Sequence, residues 1–222
     1  MNLQQQLKEY LLSQGVSDVG FSFTENGAPD GLGYTVSIAV RLSPAIIKEI
    51  GSEPTHTYFN HYRTVNAFID RALLQCGLFL QSKGYNYITV AASQSINAEG
   101  WNYSGRFSHK QAAVAAGMGS IGRNSLFIHK DFGSLVRLGT LFTDCPFEVK
   151  KTESVDVCGE CRACVEACPA HAIKGGKWSQ ETEREEIFDP EKCSNYMKSA
   201  FKHIGRGAVC GICMRVCPKN KL

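Results

Sequence analysis

The sequence predicts an α+β protein, with a mixed sheet-and-helix body over residues 1–150 and a small cysteine-rich domain over 151–222. Three observations carry this reading. Helix-period and strand-period apolar runs intermix through about Phe147. Eight of the ten cysteines fall between Cys158 and Cys217, leaving only Cys76 and Cys145 in the body. Lys150, Lys151, Thr152, Glu153 and Ser154 form a polar bridge between the two parts. At 43% hydrophobic and 20% charged residues, the 222-residue chain is able to build a packed core. Twenty-four basic against twenty-one acidic side chains leave a net charge of +3, too little to argue for nucleic acid. No run approaches about 18 apolar residues, and the polar start MNLQQQLKEY is unlike a secretion signal. A soluble cytoplasmic protein without membrane contact is expected.

Each element follows from local pattern. Leu3, Leu7, Tyr10 and Leu11 recur at helical spacing, and Gly15 supplies a left-handed stop. VSDVGFSF (16–23) and YTVSIAV (34–40) read as strands separated by turn formers at Asn26, Gly27, Pro29, Asp30 and Gly31. Ser43 and Pro44 open a short helix into AIIKEI. A longer helix is predicted from Tyr58 to Ser82, with Tyr58, Tyr62, Val65, Ile69, Leu73, Cys76 and Leu80 on its apolar stripe and Gly84 beyond its end. YNYITVA (85–91) is the next strand. HKQAAVAA reads as a helix capped by Ser108, followed by the glycine-rich GMGSIGRN and two strand-like runs, SLFIH and SLVRLGTLF. The acidic ETEREE (181–186) reads as a solvated excursion.

The cysteine spacing carries the chemistry. CGECRACVEACP places Cys158, Cys161, Cys164 and Cys168 at x2, x2, x3 spacing, with Pro169 next. CGICMRVCP places Cys210, Cys213 and Cys217 before Pro218. Spacings of two let one loop wrap three thiolates around an iron–sulfur cube, while the fourth cysteine begins a helix and serves the other cube. The domain is therefore expected to be ferredoxin-like, with two 4Fe–4S clusters. In the second motif Gly207 stands where such a domain places its first cysteine, and Cys193 is the available replacement. The resulting assignment is Cys158, Cys161, Cys164 and Cys217 on one cluster, and Cys168, Cys193, Cys210 and Cys213 on the other. Paired C-x2-C motifs also suit tetrahedral zinc, but zinc requires neither a third cysteine at x2 nor a Cys-Pro after each group. In a reducing compartment clustered thiols are ligands rather than disulfides.

GMGSIG at 117–122 satisfies the dinucleotide pattern G-x-G-x-x-G in the wrong context, because a helix precedes it and a strand-like run follows. A plain reading is a glycine turn closing a helix. HKQAAVAAGMGSIGRNSLFI, GSLVRLGTLFTD, CGECRACVEACPAHAI, FDPEKCSNYM and CGICMRVCP, in that order, resemble the epoxyqueuosine reductase family, whose core is shared with corrinoid reductive dehalogenases. The resemblance spans roughly Tyr58 to Pro218. It implies a body that binds cobalamin, with Lys110, Ala113, Gly117, Gly119, Gly122, Asn124 and Ser134 on the matching stretches. Gly119 is expected to give the corrin close backbone approach. The family's proton-donating aspartate aligns on or beside Tyr103, a departure shared with the dehalogenase branch, and Arg106 is the cation nearest in sequence. The resemblance also implies electrons from a flavodoxin or ferredoxin system and a small-molecule or modified-nucleoside substrate. The chain stops at Leu222, short of that family's helical-repeat extension, and together with the small net charge this argues against tight tRNA binding. No D-x-H-x-x-G stretch offers a histidine to cobalt, and the six histidines show no ligand spacing. The leading expectation is a cobalamin-dependent iron–sulfur reductase. Its rival is a ferredoxin-type electron carrier without corrinoid.

Overall fold

The computed structural model describes residues 2–96, 103–150, 152 and 155–221. Lys151, Glu153 and Ser154 of the expected polar bridge lie outside the described residues, as do Trp101 and Asn102. The chain divides into two compact units. One comprises Met1–Arg41, Val65–Met118 and Arg137–Glu153; the other comprises Leu42–Thr64, Gly119–Val136 and Ser154–Leu222. Two stretches that precede residue 150 therefore pack with the cysteine-rich tail.

The first unit is built on a four-stranded sheet of order β1-β2-β6-β3. Its strands are β1 (Asp18–Phe23), β2 (Tyr34–Arg41), β3 (Tyr87–Val90) and β6 (Val136–Thr143). β1 pairs antiparallel with β2 from Asp18↔Ala39 to Phe23↔Tyr34, and β3 pairs antiparallel with β6. α1 (Leu3–Ser13) buries Leu7 and Leu11, and Gly15 follows it at φ 96. α3 (His56–Gln81) begins within Leu42–Thr64 and continues into Val65–Met118, and its expected stripe is inside, with Ile69, Leu73, Cys76 and Leu80 fully buried. At Gly139 on β6 a side chain would overlap Ile69 and Leu73 of α3 and Ile38 of β2, so glycine lets the helix lie close on the sheet. α4 (His109–Ala115) follows Ser108, which stands at the N-cap but makes no side-chain cap hydrogen bond. His109 fixes that helix start instead. Its Nε2 donates to the Ala91 carbonyl at 3.0 Å, which leaves Nδ1 to accept from the Thr140 hydroxyl at 2.9 Å. Burial is the main cause that lowers its pKa, so the ring stays neutral.

The second unit holds α2 (Pro44–Lys48), a hairpin of β4 (Gly119–Ile121) and β5 (Phe127–His129), and four short helices. These are α5 (Ala163–Glu166), α6 (Arg184–Ile187), α7 (Pro190–Ala200) and α8 (Ile212–Arg215). The strand β4 inside the glycine-rich run is not legible as a strand, because two of its neighbours are glycines. The expected excursion at 181–186 includes the first turn of α6, closed by a capping box in which Glu183 and Glu186 each satisfy the other's backbone.

Adding an isopropyl group at the α3–β6 contact should overpack it. Gly139→Val is expected to cost about 1–3 kcal/mol or more, read as a lower urea midpoint at unchanged m-value.

Candidate iron–sulfur centre

Each cluster motif is shaped by its own backbone. Asp156 accepts from the amides of Cys158 (3.0 Å) and Gly159 (3.2 Å), an Asx turn that opens the first loop. Cys161 N then donates to the Cys158 carbonyl, and Cys164 rides on α5. Each Cys-Pro closes with a turn: His171 N bonds to Cys168 O at 3.0 Å, and Asn220 N bonds to Cys217 O at 3.2 Å. Proline at the second turn position is preorganised for this, which explains why it follows each final cysteine.

Cys193 sits in the first turn of α7, whose start is anchored beside Cys168. Asp189 caps α7 by accepting from Lys192 N at 2.9 Å, while its own amide donates to the Ala172 carbonyl at 2.8 Å. Phe188 bridges to Ile173. Cys164, Cys168, Ala172 and Ile173 form a small buried core, with Cys193, Cys213 and Phe188 packed against it. At Gly207 the backbone has φ 72, and a Cβ there would overlap the Met197 carbonyl and stand 2.6 Å from Lys198 Cα. No cysteine fits that position, so the ligand has to come from elsewhere.

The thiols' electrostatic neighbours divide into two sets. Burial pushes the Cys164 thiol up to about 11, helped by Cys158, Cys217 and Cys161. Burial pushes Cys193 to about 12, helped by Cys210 and Cys168. Cys213 is raised by burial and then by Cys210, Cys193, Cys168 and Cys164. Those partners are the thiols assigned to each cluster from spacing, and Cys164 with Cys213 is where the sets adjoin. Burial also raises Cys210 and Cys217. At Cys217 the Lys219 amide and the Ser134 hydroxyl oppose that rise. Among the described residues, no three His, Cys, Asp or Glu side chains could hold a single metal ion.

The residues matched to a corrin fall in both units. Lys110, Ala113 and Gly117 belong to the first, and Gly119, Gly122, Asn124 and Ser134 to the second. Lys110, Gly117 and Gly119 are half-exposed, while Ala113, Gly122, Asn124 and Ser134 are buried. Gly119 is not left-handed; Gly117 is, with φ 70. A Cβ at Gly119 would overlap the Ile128 carbonyl, so its lack of a side chain is required by the β4–β5 pairing. Asn124 donates from Nδ2 to Cys213 O at 3.4 Å, and Ser134 Oγ contacts Asn220 Oδ1 at 2.8 Å and Met214 O at 3.3 Å. Both therefore support the cluster segment. Tyr103 is half-buried with φ 55, a backbone conformation a tyrosine rarely adopts. Asp156 and Arg123, which sequence reasoning missed, also brace the first cysteine loop. The D-x-C-G order around Asp156 was a usable turn signal; nothing local marks Arg123.

A family model for a 4Fe–4S double cluster binding domain matches residues 157–220. The chain is 28% identical over 202 residues to an epoxyqueuosine reductase of Cyclobacterium marinum, covering 82% of this chain and 62% of that protein. It is 32% identical over 126 residues to an epoxyqueuosine reductase of Listeria monocytogenes, covering 53% of this chain and 31% of the relative. The matches thus span less than two thirds of these relatives' length. Among solved structures, an epoxyqueuosine reductase with an epoxyqueuosine-modified tRNA stem loop matches with TM-score 0.66 at 21% identity, covering 99% of this chain and 65% of that one. A reductive dehalogenase whose structure suggests a mechanism for B12-dependent dehalogenation matches with TM-score 0.73 at 20% identity, covering 97% and 31%. The resemblance to epoxyqueuosine reductases holds, the fold is shared with both groups, and the tail is a double-cluster iron–sulfur domain.

Two outcomes follow from the thiol geometry. Anaerobically prepared protein should contain close to eight irons per chain. Cys193→Ala should lose one cluster and keep the other by iron assay and EPR, and adding Gly207→Cys should not restore the loss. In the iron-free protein, unfolded thiols ionise near their ordinary 9.0 while folded Cys164 and Cys193 hold their protons to about 11 and about 12. The unfolded state then binds fewer protons, so stability of the iron-free unit should fall as pH rises above about 9, measured by denaturant titration.

Proposed function

We propose that this chain is a cytoplasmic cobalamin-dependent iron–sulfur reductase, similar to epoxyqueuosine reductase, acting on a small-molecule or modified-nucleoside substrate. The observation that supports the electron-transfer part is the adjacency of two sets of thiols at Cys164 and Cys213. Bound cobalamin would supply a low-valent cobalt for reductive elimination once reduced through the clusters. Support for the corrin comes from the sequence similarity to epoxyqueuosine reductases and from the fold shared with a B12-dependent dehalogenase. Of the matched residues, the half-exposed Lys110, Gly117 and Gly119 are the ones with surface to offer it. Ala113, Gly122, Asn124 and Ser134 are buried, and Asn124 and Ser134 hold the cluster segment. Tyr103 is assigned as proton donor to the product: a phenol held in a strained conformation at the position where the family carries its acid. Electrons enter from a flavodoxin or ferredoxin system, and a net charge of +3 favours weak tRNA binding. Among the described residues no helix is long and apolar enough to cross a membrane.

The burial of four of the seven corrin-matched residues favours a second reading, an electron carrier without corrinoid. Adding hydroxocobalamin anaerobically to protein with both clusters loaded separates the two. A shifted cobalamin spectrum and stoichiometric binding by calorimetry are expected, and their absence with eight irons in place leaves the electron carrier as the account. Tyr103→Phe should retain iron and cobalamin but lose about 10²–10⁴-fold in kcat, the usual contribution of a general acid.

A further inference from the structure

Resting on the assignment of Cys158, Cys161, Cys164 and Cys217 to one cluster, we infer that Arg123 is a positioning residue that sets that cluster's reduction potential. The hairpin tip between β4 and β5 is a tight loop, closed by Ser125 N to Gly122 O at 2.8 Å and Gly122 N to Leu126 O at 2.9 Å. Arg123 leaves that tip and is 7% exposed. Its guanidinium donates to two backbone carbonyls, those of Gly159 and Gly175. Gly159 is the residue after the ligand Cys158, so the charge lies beside the first cluster loop. Asn124, next along the tip, reaches the Cys213 carbonyl, so the loop is held against both motifs.

The guanidinium has no anionic partner among the described residues, and its Nε is buried without an acceptor. Two neutral carbonyls do not offset a buried full charge, and such a charge is costly unless an anion joins it. A 4Fe–4S cube with four thiolates is net negative and gains one more negative charge on reduction. Arg123 would therefore stabilise both states, and the reduced one more, which raises the potential. Arginine stays protonated throughout the working pH range, so the effect does not titrate away. A purely mechanical brace would need the two hydrogen bonds and not the charge.

The test uses the full chain with both clusters loaded, compared as wild type, Arg123→Gln and Arg123→Lys by protein-film voltammetry and EPR-monitored redox titration. Iron content is measured on each sample. In Arg123→Gln one of two waves should move negative by at least about 59 mV, the one-electron equivalent of a tenfold change in the reduction equilibrium. The other wave should move less. Arg123→Lys, which keeps the charge and loses the paired geometry, should stay near wild type. Unchanged potentials in Arg123→Gln with eight irons retained, or an equal shift in Arg123→Lys, would overturn the inference. Absence of clusters from the wild-type protein would instead overturn the iron–sulfur assignment beneath it.

Discussion

The cost of ionising thiols that are both buried and crowded together is the constraint on which the second unit depends. Ionising even one buried thiol is unfavourable, as the upward shifts at Cys164 and Cys193 show, and ionising four together is worse. Iron reverses the sign of that interaction, because each thiolate then binds a cation instead of facing another anion. Metal loading and folding of this unit are consequently linked.

That constraint explains features outside the cysteine motifs. The Asx turn at Asp156, the Cys-Pro turns and the Asp189 cap all orient backbone at a ligand or next to one. Stretches 42–64 and 119–136 pack with the tail, although Arg137–Glu153 separates even the nearer one from it in sequence. Gly211 shows the consequence. Its backbone is left-handed at the N-cap of α8, and a side chain there would meet Ile50 and Tyr58 at 2.8 and 2.9 Å. Body and tail segments thus share one packed unit, in which residues from before the chain's apparent boundary pack against the segment that carries Cys210 and Cys213.

Much of this was legible because it is periodic or spaced. The stripe from Tyr58 to Leu80 foretold α3 to within two residues at its start, since apolar burial at every third or fourth position leaves few alternatives. Cysteine spacing was legible for the same reason: a loop of two residues allows little choice of geometry. β4 was hidden because glycines carry no strand preference and its pairing is set by β5. The pairing role of Gly119 was hidden for a related reason. The reason for a missing side chain lies in the Ile128 carbonyl across the hairpin, which a linear reading does not see. Arg123 was invisible because burial of an arginine depends wholly on what folds over it.

The proposed ligand at Cys193 illustrates how such a site can change without losing its cluster. At Gly207 the left-handed backbone and the Met197 carbonyl of α7 occupy the space a side chain would need. The close approach that excludes a cysteine there also brings α7 against the second motif. A helix lying that close can supply a thiol from its own first turn, provided its start is fixed. Asp189 and Phe188 fix it to Ala172 and Ile173, a few residues past Cys168. Loss of one ligand and gain of another are therefore a single packing arrangement, in which the helix that removes the old position provides the new one.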